Sequence, residues 1–354
     1  MQFKDFLAAG ILAAGIRLRR GVLFLSVLAC LLCGCECDRD PIFEYPVDGG
    51  IDPTLLTVNI TYHPCGDIPY YKTVYLTRGN TYGTSRRYHY QIFSADGTCV
   101  KENIIERAYD DLSDIIVSVS LPAGSYSAVM WQDVLTNSKN CFYESSSLKS
   151  VTIPAAQHYY ACTDMKDASC SSIALDVPAS DDWNKTISYD VDLERPVSKI
   201  TIVSTDASLF VQRCAEYFFT RSGLLMSAEV LDRVAIQIDY QGYILTRYNV
   251  MTDEFHGSAL GYSYQGMLRP TDDSNNLVIG TDYIFVNGAT GTCWITVKAI
   301  DVVDGEVIME TDKIEIPLRR GHETIVSGDI LTMYWGQGVS IDTHFSGEFD
   351  IVVQ

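Results

Sequence analysis

Positive charge is scarce in this chain of 354 residues: 26 Lys and Arg stand against 45 Asp and Glu, a formal net charge of −19. A surface so acidic repels phosphate backbones and anionic headgroups, which argues against nucleic acid and against electrostatic docking on a membrane. Histidine is scarce too, with six scattered at 63, 89, 158, 256, 322 and 344. His322-Glu323 runs into Thr-Ile-Val, so the second histidine of a HExxH zinc site is missing. Gly257-Ser258-Ala259-Leu260-Gly261 has no serine at its centre and makes no nucleophile elbow, and no P-loop or GxGxxG turn follows a strand. The acidic pairs Asp110-Asp111, Asp181-Asp182 and Asp272-Asp273 lie in loop-like sequence and read as solvated surface, not as glycosidase carboxylates or calcium ligands. The expectation is a protein without catalytic residues, metal or cofactor.

A membrane-spanning run is also missing. Gly21 to Gly34 is apolar but shorter than the ~20 residues that cross the hydrocarbon core. Entered from Arg17-Leu18-Arg19-Arg20, it has the layout of an export signal. It ends in Leu32-Cys33-Gly34-Cys35, a lipobox pattern, which makes Cys35 the expected lipidated first residue of the mature protein. Val27-Leu28-Ala29-Cys30 fits the pattern more loosely and would leave Leu31 and Leu32 in the mature chain. Removing residues 1–34, which hold Lys4, Arg17, Arg19 and Arg20 against Asp5, leaves 320 residues with a net charge of −22. Residues 35–54, acidic at first and then rich in Pro and Gly, read as a lipidated tether.

Eight cysteines follow Cys35, at 37, 65, 99, 141, 162, 170, 214 and 293. An even number in an exported chain permits disulfides, and Cys162 with Cys170 is the most plausible local pair. Free thiols packed as small hydrophobes fit about as well.

Long amphipathic helices are absent, and from Leu55 onward the period is mostly two. Ile115, Val117, Val119 and Leu121 fall on one face, and Pro122-Ala123-Gly124 turns the chain into Tyr126 to Trp131. Val234, Ile236, Ile238 and Tyr240 alternate in the same way. Asp96-Gly97 and Asp304-Gly305 read as hairpin turns. A short helix is expected only within Phe218 to Leu231, and Tyr70 to Leu76 reads as a strand. Strands without long helices predict an all-β protein of two tandem sandwiches, residues 55–190 and 191–354, joined near 185–195.

Several pieces in fixed order resemble the lipoprotein anchor and minor subunits of type V pili, the fimbriae of gut and oral Gram-negative anaerobes. They are the lipobox; the strand, turn and strand ending in Trp131; and Glu194-Arg195-Pro196-Val197-Ser198-Lys199-Ile200. Gly242-Tyr243 with Tyr248-Asn249-Val250 follows, then Ile316-Pro317-Leu318-Arg319-Arg320 running into Thr324, Gly328 and Leu331-Thr332. The resemblance implies transthyretin-like sandwiches. It also implies a place at the fimbria base, a tether to the outer membrane through the lipid on Cys35, and a stalk pilin as partner. Donor-strand pairing makes Phe349, Ile351 and Val353, alternating in the C-terminal tail, the candidate donor; the same alternation fits a last strand of the chain's own sandwich. A surface glycan-binding lipoprotein is the alternative, with Trp183, Trp335 or the Tyr262 and Tyr264 loop as aromatic platforms, against the plainer reading of those rings as core.

Overall fold

In the N-terminal part the alternating stretches become strands: β1 (Leu55–His63), β2 (Ser85–Ser94), β3 (Cys99–Ala108), β4 (Ile115–Pro122), β5 (Gly124–Leu135), β6 (Val151–Thr152), β7 (Ser169–Val177) and β8 (Thr186–Asp192). The structure is a computed structural model, and it describes residues 54–66, 68, 85–136, 138–179, 185–222, 230–271, 275–332, 339–341 and 349–353. The leader, the tether up to residue 53 and the expected strand Tyr70 to Leu76 lie outside the described residues.

β1 sits between β4, its antiparallel neighbour, and β8, its parallel one. The second sheet runs β3-β2-β5-β7, antiparallel throughout. Period two explains the layering, because alternate side chains point to opposite faces. Leu56, Val58, Ile60 and Tyr62 of β1 and Ile115, Val117, Val119 and Leu121 of β4 are buried, and Tyr88, Ala128, Met130 and Leu175 of the other sheet join their core. Each such side chain contributes about 1.5–3 kcal/mol when fully withdrawn from water. β8 occupies most of 185–195, the stretch expected to hold the junction, as a strand of the first sheet.

β5 breaks the alternation, for all its residues from Ala128 to Leu135 are buried. Ala128 and Met130 serve the first core, while Val129 and Trp131 belong to a second, larger one. That second core is built on β9 (Val197–Ser204), helix α1 (Ala207–Ser222), β10 (Val234–Tyr240), β11 (Ile244–Leu245), β12 (Arg247–Asn249), β13 (Glu254–Phe255), β14 (Ser258–Ala259), β15 (Ser263–Gln265) and β16 (Arg269–Pro270). It is completed by β17 (Leu277–Phe285), β18 (Thr290–Asp301), β19 (Val307–Glu310), β20 (Ile314–Arg319) and β21 (Glu323–Gly328); β22 (Val339–Ile341) and β23 (Phe349–Val353) follow. One sheet has the order β16-β17-β9-β21-β23-β22; the other has β15-β10-β18-β19, with β20 also on β18. Ile200, Ile202, Ile279 and Val326 of the first share their core with Ile236, Ile238, Ile295, Val297 and Ile316 of the second. Gly280 sits at a register shift of β17, where a Cβ would run into Ile238 and the Tyr264 hydroxyl.

The helix begins eleven residues before the expected Phe218 and ends inside the expected stretch. Ala207, Phe210, Cys214 and Phe218 recur at three and four and are buried. Its first N–H groups are satisfied from a distant loop: Ala207 N–H donates to the Asn275 carbonyl at 3.0 Å and Ser208 N–H to Asn275 Oδ1 at 3.1 Å. No described helix is long and apolar enough to cross a membrane. Residues Pro53–Gln354 form one compact unit. β6, from the N-terminal part, pairs with β12, so the two expected domains share a ribbon.

Candidate functional site

Four residues from the pieces that carried the family resemblance, Trp131, Arg195, Tyr248 and Arg320, meet at one place. Trp131, four residues before the end of β5, stacks edge-on against Tyr143 at 5.2 Å and lies 6.3 Å from Tyr248 and 6.5 Å from Phe285. Phe255 closes the cluster, 4.7 Å from Tyr248 and 5.4 Å from Phe285. The indole Nε1–H donates to Asp133 at 3.1 Å, and Arg87 grips the same carboxylate with Nε at 2.8 Å and Nη2 at 2.5 Å. Burial pushes the Asp133 carboxyl up, against the pull of Arg87.

Two arginines frame this cluster. Arg195 donates to both oxygens of Asp167, at 2.7 and 3.0 Å, and to the Gly66 carbonyl at 2.6 Å. Arg320 forks onto Asp253, at 2.6 and 3.0 Å, and donates to Tyr248 Oη at 3.0 Å and the Arg195 carbonyl at 3.2 Å. Burial works against both guanidinium charges, yet the hydrogen-bonded carboxylates outweigh it and hold them above the ordinary arginine range. Between the arginines opens a cleft of about 370 Å³, lined by Cys65, Glu194, Arg195, Arg319, Arg320 and His322. Bidentate pairing commits Arg195 and Arg320 to carboxylates of this chain, so their work is to pin loops together. The motif residues therefore form a structural junction.

The C-terminal hairpin is a separate feature, built on β21. β21 runs parallel to β9 on one side and to β23 on the other, with Thr324 opposite Phe349, Val326 opposite Ile351 and Gly328 opposite Val353. β22 pairs antiparallel with β23 and ends the sheet. The candidate donor residues thus occupy the last position but one of the chain's own sheet.

Cys35 and Cys30 lie outside the described residues, as do Trp183 and Trp335. Cys162 and Cys170 stand as free thiols with different neighbours: Cys162 Sγ is 3.7 Å from the Gln265 carbonyl, and buried Cys170 is 3.4 Å from Tyr248 Oη. Tyr262 and Tyr264 are buried, the core reading of that loop, and Tyr262 Oη donates to the Pro154 carbonyl at 3.1 Å. Tyr243, named above as a motif residue, is 71% exposed, and Trp294, which was not singled out from sequence, is 41% exposed. The signal for Trp294 was present in the alternation of β18, where buried Cys293 and Ile295 flank it.

Residues 53–354 match the model of a family of unknown function (DUF6562). The chain belongs to that family. No curated protein matches the sequence. Solved structures similar to this one include the fimbrial anchor protein Mfa2 of Porphyromonas gingivalis, at 11% identity and a TM-score of 0.40, with 73% of this chain and 82% of that one covered. The tip fimbrial protein Mfa3 of the same organism gives 10% identity and a TM-score of 0.37, covering 74% and 81%. A protein of Bacteroides thetaiotaomicron, provisionally described as polysaccharide-binding, gives 11% identity and a TM-score of 0.43, covering 72% and 79%.

Proposed function

We propose that the protein is an outer-membrane lipoprotein that holds a fimbria at its base and limits its length, by strand exchange with the stalk pilin. The observation that carries this reading is the placement of the C-terminal hairpin. β23 is extended, terminal and held by a parallel pairing to β21 and a short antiparallel one to β22, and parallel ladders are slightly weaker per residue than antiparallel ones. A strand so placed can leave its own sheet for the groove of a pilin, where main-chain hydrogen bonds supply affinity and alternate side chains fill pockets. The lipobox at Cys35 fixes the other end of the chain. An anchor that donates a strand while its own N-terminus stays lipidated accepts no further subunit, and growth stops there.

Deleting residues 347–354 tests the proposal. The expected outcome is a folded, membrane-bound protein with fimbriae released into the medium. A truncated protein that is degraded, or one that keeps its fimbriae, overturns the donor role.

Exposed Trp294 and Tyr243 favour a second reading, binding of a glycan on an aromatic platform. The Gln241 N–H donates to the Trp294 carbonyl at 2.7 Å, which brings the two chain stretches side by side. Co-purification of pilins supports the anchor; a glycan-array signal lost in a Trp294→Ala, Tyr243→Ala variant supports the platform.

A further inference from the structure

Within the larger core lies a group of polar side chains to which neither reading gives a role. Lys166 and Asp282 are in direct contact, both without solvent exposure, and stand 116 residues apart in sequence. Lys166 closes a 3-10 turn, Asp164–Lys166, and Asp282 sits in the middle of β17. Lys166 Nζ also donates to Tyr159 Oη at 2.6 Å, and Tyr159 Oη donates to Asp282 Oδ2 at 2.6 Å. Tyr240 Oη donates to the same Oδ2 at 2.6 Å, while the Tyr283 N–H donates to Oδ1 at 2.7 Å. The ammonium lies over two rings, 3.9 Å from the Tyr159 centroid and 4.6 Å from that of Phe142.

A buried ion pair is a poor device for stability, because desolvation of the two charges offsets most of their attraction. The same dry setting is favourable for another outcome. In water an amine and a carboxylic acid remain ionised and apart. Here the charges have lost their hydration, and the amine already rests against the carboxylate. Well-oriented groups react as if present at about 10⁵–10⁸ M. Burial holds the Lys166 amine down at about 8, against the pull of Asp282, which brings the neutral nucleophile within reach near neutral pH.

We propose that Lys166 and Asp282 condense into an intramolecular amide that ties the segment carrying Tyr159 and Lys166 to β17. Tyr159 is the proton relay: Nζ passes a proton to its oxygen while its own proton moves to Asp282 Oδ2. The neutral amine then attacks Cγ, and charge gathering on Oδ1 is met by the Tyr283 N–H, an oxyanion-stabilising donor. A second Nζ proton follows the same route to Oδ2, which departs as water while Tyr240 holds its position. One C–N bond forms, one C–O bond breaks, one water leaves, and nothing is oxidised or reduced. The inference stands apart from the anchor proposal, although a covalent tie suits a protein under tension.

The test is a tryptic peptide map of the full chain purified from membranes. Trypsin does not cut after an acylated lysine. The expected product is one branched peptide that carries both Lys166 and Asp282, is lighter by one water than its two parts, and is absent from Lys166→Arg. Full recovery of a linear peptide ending at Lys166, with an unmodified peptide holding Asp282, overturns the proposal and needs no variant to fold. Tyr159→Phe addresses the relay by a readout that packing alone would not move. In a time course of cell-free synthesis the branched product should form roughly 100-fold more slowly, the lower end of general acid–base contributions. Formation at the wild-type rate overturns the role of Tyr159.

Discussion

At the scale of single residues, burial sets the behaviour of titrating groups more than sequence neighbours do. His89 of β2 is buried, with its Nδ1–H donating to the Ser145 carbonyl at 2.9 Å. Burial and the nearby Arg87 hold its imidazole below the ordinary 6.5, against the opposing pull of that carbonyl. The unfolded chain therefore takes up this proton first. The stability due to neutral His89 is complete above pH 6.5 and is lost as pH falls through the folded value. His63 acts in the opposite sense: its hydrogen bond to Asp114 raises it, so its contribution is present below pH 6.5 and fades as pH rises. Urea unfolding between pH 7.5 and 5 isolates the term by difference. His89→Gln should lose less stability on acidification than the parent chain; equal losses would show that His89 is not the acid-sensitive group. Nothing local marks His89, since Arg87-Tyr88-His89-Tyr90 reads as half-solvated strand. Its burial comes from the Ser145 loop, more than fifty residues away.

Elements show the same division between local pattern and distant partner. β1, β4 and β10 were legible because one face of each is packed and the other is not, and period two records that asymmetry. β5 was legible only as a strand, since its two buried faces belong to different cores and erase the alternation. The start of α1 was misplaced for a related reason: its first N–H groups are capped by Asn275, which no local signal announces. The arginine junction was visible as motif residues but not as paired charges, because Asp167 and Asp253 carry no motif. That pairing has a measurable consequence. Arg195→Leu leaves the Asp167 carboxylate buried and unpaired, which should cost about 3–5 kcal/mol, whereas Arg195→Leu with Asp167→Leu should recover most of it. Equal losses in the single and double variants, measured by denaturant midpoint, would assign the stability to the packing of Arg195 and its bond to Gly66 instead.

Over the whole molecule the proposed function gives the two ends separate duties, and these can be separated experimentally. In the proposed anchor, a chain with 26 Lys and Arg against 45 Asp and Glu gains little from electrostatic attraction to an anionic lipid surface, so retention would rest on the acyl chains. A single chain binds a bilayer marginally, while two or more hold firmly, which is what lipobox processing supplies. Cys35→Ala should therefore give an unprocessed precursor or a released protein that takes up no alkyne fatty acid in metabolic labelling. A variant that is still labelled would move the attachment to Cys30. The fate of the fimbria then distinguishes this lesion from loss of the tail. Without the lipid, fimbriae should leave the cell with the protein still at their base. With residues 347–354 removed, they should leave without it, while the protein stays in the membrane. If both variants shed fimbriae that carry the protein, the tail is not the joint, and the contact with the stalk must be sought elsewhere on the ectodomain.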